Sequence, residues 1–242
     1  MKIVFAGPSL SGLQRAAEAS VEFRGPAFQG DVYRAVANGA NVIGIIDGFF
    51  ESVSSIWHKE ILHALSCGVS VFGAASMGAL RAVECMEFGM IGVGEIFEAY
   101  KNGSILDDDA VALAHAPREL SYKPLTVPLV NVMWTAAAWR DRDLISAEEA
   151  VHLLNAAQGL YFKDRTWRDV IDRARVPPDR AAEILALAKS AAIDRKSLDA
   201  QMLVELVEKA ENVRGPPPCW TFSHTDQFER FVVGFRPNAA RL

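Results

Sequence analysis

Residues 74–78, Ala-Ala-Ser-Met-Gly, set one hydroxyl among small and apolar neighbours, where an apolar run gives way to a helical pattern. The segment approximates G-x-S-x-G with alanine in the first glycine position. In that pattern the serine sits on a sharp strand-to-helix turn, and only small flanking residues let the backbone close around it. The first N–H groups of the following helix, from Met77 and Gly78, have no helical partner and carry a partial positive charge. Such donors suit an oxyanion or a phosphate. Ser76 is therefore either a nucleophile or the N-cap of the helix that follows.

A serine nucleophile needs a base. Of the downstream histidines, His115, His152 and His224, the second falls on an amphipathic helix and the third near the tail. A lysine also serves when burial lowers its pKa to about 7–8. Lys59, in "IWHKEILHAL", precedes the strand that leads to Ser76, and helical spacing groups it with Ser52, Ser55 and His63. It reads either as that base or as a solvated helix lysine. Asp47 closes another apolar run, followed by Gly48-Phe49-Phe50. It either orients a lysine or caps the next helix, and the two phenylalanines line a pocket or fill the core. Neither GxxxxGK[ST] nor GxGxxG occurs, so no nucleotide loop is expected. The glycine-rich stretch 89–95 follows a helix and reads as a shaped loop. Cys67, Cys85 and Cys219 are far apart and lack CxxC spacing. They form neither a disulfide framework nor a metal site, and they suit a reducing cytoplasm. Neither a cofactor nor a metal is called for.

The elements that position these residues alternate through the first half of the chain. Apolar runs at 2–7, 21–25, 41–48 and 69–74 read as strands. Helical patterns at 11–19, 28–39, 51–68 and from Met77 onward separate and follow them. This βα alternation predicts a mainly parallel, flavodoxin- or Rossmann-like sheet of about four strands with helices on both faces. In such sheets ligands collect at the carboxyl ends of the strands. Gly7-Pro8-Ser9, Asp47-Gly48 and 74–78 all fall there. Beyond residue 125 the pattern turns helical, with Ser146-Ala-Glu-Glu149 matching a capping box and Thr166 placed as an N-cap. We divide the chain into an α/β catalytic core, 1–125, and an all-helical extension, 126–242, packed on it. At 242 residues and 50% hydrophobic composition the chain can bury a core without disulfides or metals. The net charge of -5, with both signs mixed along the chain, argues against a nucleic-acid binder. No apolar run approaches the roughly 18 residues of a membrane span.

The block "IIDGFFESVSSIWHKEILHALSCGVSVFGAASMGALRAVECMEFGMIGVGEIFEAY" resembles the TfuA-like core domain. The resemblance runs from Gly7-Pro8-Ser9 to about residue 160 and is most specific over 45–100. It implies a partner of YcaO enzymes in peptide-backbone thioamidation, acting on a precursor peptide or protein. In that role it hydrolyses the C-terminal thiocarboxylate of a ThiS-like, ubiquitin-fold carrier and releases sulfide. The implied site is a Ser-Lys pair. Its serine falls on Ser76, since Ala75 replaces the second serine of the turn, and its lysine on Lys59, with Lys123 as the rival. Gly7, Pro8, Ser9, Asp47, Gly48, Met77 and Gly78 would then bind the oxyanion and the carrier's thin tail. An alternative is an adaptor without chemistry that brings peptide or carrier to YcaO, using Trp220, Phe222, Phe228 and Phe231. A persulfide relay through Cys67 or Cys85 is a third reading.

Overall fold

The computed structural model describes residues 1–13, 20–49, 51 and 53–235. Among them run five parallel strands: β1 (Lys2–Phe5), β2 (Glu22–Arg24), β3 (Val42–Ile45), β4 (Ser70–Ala74) and β5 (Ile91–Val93). Their order, β2-β1-β3-β4-β5, is the flavodoxin-like winding. The helices are α1 (Asp31–Ala37), α2 (His58–Ser66), α3 (Met77–Cys85), α4 (Glu95–Lys101), α5 (Leu129–Asp141), α6 (Ala147–Gln158), α7 (Trp167–Arg173), α8 (Pro178–Ala191), α9 (Arg195–Lys209) and α10 (Asp226–Phe235). The helix expected over 11–19 falls mostly outside the described residues, as do Phe50 and Ser52.

The central strands are apolar at every position because both sheet faces are covered. Ile3, Phe5, Ile43, Ile45 and Val71 point to the side occupied by α1, α2 and α3. Val4, Val42, Ile46 and Phe72 point the other way, onto Ala200, Leu203 and Val207 of α9. A Cβ on Gly44 would meet Leu203 at 2.6 Å, so the small residue lets α9 lie close to β3. The helical half of the chain thus completes the sheet's own core. The start of α9 comes to rest over the carboxyl ends of the strands. Ser146 and Thr166 cap α6 and α7 through the N–H groups of Glu149 and Asp169.

Three local expectations change. The sheet has a fifth strand where a loop was expected, because Gly89 (φ 104) turns the chain straight back into register beside β4. Gly92 gives the Phe97 ring room against that strand. A short helix, α4, follows it unannounced. The helix expected over 51–68 begins only at His58, since Ser54 and Trp57 pair outward with other partners. Gln29 N–H donates to the Ser54 carbonyl at 2.9 Å, and Trp57 N–H donates to the Glu60 carboxylate at 2.9 Å.

Glu60 is fully buried and also accepts the N–H groups of Gly30, Val32 and Tyr33, tying the start of α1 to that of α2. Glu60→Gln would turn an amide NH2 toward this ring of donors. It should cost about 2–3 kcal/mol, a drop in melting temperature of roughly 5–10 °C for a chain of this size. A thermal melt within a degree of wild type would contradict this role. No helix among the described residues is long and apolar enough to cross a membrane.

Candidate active site

The strand order reverses between β1 and β3, and the carboxyl ends of β1, β3 and β4 meet beside that switch point. Ser76 stands at the end of β4. Its N–H donates back to the Ala74 carbonyl at 2.7 Å around Ala75, whose φ is 64°. A three-residue turn with a non-glycine at positive φ is rare and strained. It halts the strand within one residue and starts α3 at once. The helix fits against β3 because position 78 is glycine: a Cβ there would lie 1.8 Å from the Ile45 carbonyl oxygen.

Ser76 occupies the N-cap position of α3, yet its side chain makes no capping hydrogen bond. Its Oγ instead meets Nζ of Lys196 at 3.0 Å. Lys196 lies in the first turn of α9 and is 2% exposed; Ser76 is 8% exposed. Lys196 Nζ also donates to the Val111 carbonyl at 2.8 Å and lies 3.8 Å from the Asp47 carboxylate. Its backbone N–H is held by the Asn131 side-chain carbonyl, and the Asn131 amide donates to Asp194, the α9 cap. Burial pushes the Lys196 ammonium below the ordinary lysine value of 10.5, with Asp47 and Asp194 pulling the other way.

Asp47 is 2% exposed and its oxygens are fully engaged by the first turn. Gly7 N–H (2.8 Å) and Ser9 N–H (3.0 Å) donate to one oxygen, and the Ser9 hydroxyl (2.7 Å) to the other. Gly7 and Ser9 thus spend their donors on Asp47 and have none for an oxyanion, while Pro8 has no N–H. Gly78 N–H is likewise taken, by the Ile46 carbonyl at 3.1 Å. Met77 N–H, by contrast, makes no hydrogen bond among the described residues. Gly48 sits against the Met77 side chain, where a Cβ would come within 2.8 Å of Cγ.

These groups open on a cleft of about 540 Å³. Its walls include Pro8, Asp47, Gly48 and Met77, and also the segment 111–115 and Phe162. Glu51, Tyr161 and Lys163 interact beside it, Lys163 Nζ lying 2.6 Å from Glu51. Among the described residues, no group of three or more His, Cys, Asp or Glu side chains is placed to hold a metal ion.

The structure does not bring Lys59 to Ser76. Lys59 Nζ donates to the Ser223 carbonyl at 2.7 Å and lies 4.8 Å over the Phe222 ring, on the surface near α10. Lys123 is exposed. Lys196, missed in the sequence, carries a signal: Arg195 and Lys196 place two cations in the first turn of a helix, against the macrodipole preference. A local rule broken in this way marks a site where another demand wins. The aromatic tail packs inward, with Phe228 buried against Tyr33, Trp57 and His63, and Trp220 on Phe88.

A search of curated proteins finds no match. The family model described as "TfuA-like protein" matches residues 47–166, a segment that contains Asp47, Ser76, Met77 and Gly78 but not Lys196. That match spans the ends of β3 and β4 and the Ser76 turn, so the chain carries a TfuA-like domain over residues 47–166.

Proposed function

We propose that this chain hydrolyses the C-terminal thiocarboxylate of a ThiS-like carrier protein, releasing sulfide for a YcaO enzyme that thioamidates a peptide backbone. Ser76 is the nucleophile and Lys196 its base. The observation that carries this reading is the 3.0 Å contact between Ser76 Oγ and a lysine amine removed from solvent at the floor of the cleft.

A neutral Lys196 amine keeps two N–H bonds, one of which satisfies Val111, and offers its lone pair to the Ser76 proton. Ser76 Oγ then attacks the thiocarboxyl carbon. Met77 N–H, at the positive end of α3, is the open backbone donor next to the developing oxyanion. Sulfur departs as hydrosulfide, and water cleaves the resulting ester to return Ser76. Asp47, locked by the Gly7–Ser9 turn, sets a fixed negative charge beside the amine and favours the ammonium formed as Ser76 gives up its proton. Glycine and alanine around the cleft floor suit a Gly-Gly tail thin enough to reach a buried serine.

The assay supplies a thiocarboxylated carrier and measures sulfide. Lys59→Ala and Lys123→Ala should keep kcat/KM within about threefold of wild type, since neither side chain touches the cleft floor. A large loss in Lys59→Ala alone would move the base back to that residue. Normal peptide thioamidation by Ser76→Ala, with no sulfide added, would favour the adaptor.

A further inference from the structure

We infer that His115 is a second proton-transfer residue of this site, acting first as acid on the departing sulfur and then as base on the hydrolytic water. The inference rests on the reaction proposed above. His115 lines the same cleft as Ser76 and Lys196. It belongs to a loop that is pinned on itself: His115 bridges Pro124, Ala116 N–H donates to Lys123, and Leu125 N–H donates to Ala114. Its ring is flanked by Phe49 and Tyr122, with centroids 6.2 and 5.7 Å away.

The ring's protonation pattern follows from one contact. Nδ1 lies 2.8 Å from the Ala116 carbonyl oxygen, which only accepts, so Nδ1 keeps its proton in both charge states. Proton exchange is thereby assigned to Nε2, which makes no hydrogen bond or ion pair among the described residues. His115 is half-buried and lines the cleft with Nδ1 fixed, which leaves Nε2 as the nitrogen able to exchange a proton with a bound substrate.

The reaction has work for such a group. A thiocarboxylate is already an anion, and adding Ser76 Oγ to its carbon puts a second negative charge on the adduct. Sulfide dianion does not leave. The C–S bond breaks when sulfur takes a proton, and Lys196 is holding the Ser76 proton that it must later return. In the first half-reaction the imidazolium of His115 gives its Nε2 proton to sulfur, which departs as hydrosulfide and leaves an acyl ester on Ser76. In the second, neutral Nε2 takes a proton from water as the oxygen attacks the ester carbon. The C–Oγ bond then breaks, Lys196 returns its proton to Ser76, and the carboxylic acid product ionises to solvent. One thiocarboxylate and one water become one carboxylate, one hydrosulfide and one proton, with no redox step.

The test compares two substrates that differ only in the leaving group's need for a proton: a ThiS-like carrier with a Gly-Gly thiocarboxylate, and the 4-nitrophenyl ester of acetyl-Gly-Gly. His115→Ala should slow sulfide release about 100-fold or more while leaving the nitrophenolate burst within about threefold of wild type. Acyl-Ser76 should then accumulate from the ester, visible by intact mass. His115→Asn, whose amide stands where Nδ1 does and keeps a donor for the Ala116 carbonyl but cannot titrate, should behave like alanine; recovery of activity in that variant would reduce His115 to a structural role. Equal loss of sulfide release and of the nitrophenolate burst, or loss of neither, would overturn the inference. If wild type releases no sulfide, the proposed reaction falls. Acyl-Ser76 trapping from the ester still judges His115 in that case, because unchanged ester turnover in His115→Ala contradicts its part as base.

Discussion

Lys196→Met should abolish sulfide release, by about 10³–10⁴-fold in kcat/KM, while the chain stays folded. Ser76→Ala should lose as much, and the double variant little more, because the two groups act as one unit. Methionine keeps most of the lysine's length and removes only an amine that burial already disfavours. Lys196→Arg should fail as completely, since a guanidinium does not give up its proton in this range. The pH dependence separates a base from a mere donor. If neutral Lys196 is required, the wild-type nitrophenolate burst from the 4-nitrophenyl ester, which needs no acid, rises with pH through a transition below the free-lysine value of 10.5. Stability follows the same group. In the window between the lowered folded pKa and 10.5, the unfolded chain binds more protons at this lysine, so its contribution to stability increases as pH rises. Lys196→Met should flatten that rise in denaturant titrations at several pH values. A methionine variant retaining a tenth of wild-type activity would sink the assignment.

How much of this was legible in the sequence depends on the range over which each feature is fixed. The apolar runs that end at Phe5, Ile45 and Ala74 announce a buried parallel sheet, because no other environment tolerates such residues on both faces. Their carboxyl ends then place Ser9, Asp47 and Ser76 together. The strand β5 escaped because its three residues, Ile91–Val93, give no period to read. Lys196 escaped for a different reason. It stands 120 residues from Ser76, and its approach depends on α9 crossing the sheet with Leu203 over Gly44. Nothing local encodes that crossing. Lys59 drew attention by being near Ser76 in sequence, yet α2 turns that side chain toward Ser223 and Phe222. The Gly7-Pro8-Ser9 turn was placed correctly at the strand end, but hydrogen-bond accounting, which needs coordinates, hands its donors to Asp47.

Gly78→Ala should be among the most damaging single changes in the chain, although it adds only one methyl group. The new carbon would lie 1.8 Å from the Ile45 carbonyl oxygen and 2.6 Å from its carbon. Both are backbone atoms of a central strand bonded on either side, so neither can yield as a side-chain tip would. The start of α3 must lift from β3, and lifting breaks the bond from Gly78 N–H to the Ile46 carbonyl. Overpacking of this kind costs about 3 kcal/mol or more, roughly 6–12 °C in melting temperature for a chain of this length. The larger effect is on chemistry. Ser76 precedes the displaced turn by two residues, and its contact with Lys196 has no slack at 3.0 Å. Activity measured well below the melting temperature should therefore fall about 100-fold even in molecules that remain folded. Ala75→Gly makes the contrast. Glycine adopts a φ of 64° without strain, so that variant should melt at or above the wild-type temperature and keep its sulfide release. If Gly78→Ala melted and turned over like wild type, the close seat of α3 on β3 would not be what aims Ser76 at Lys196.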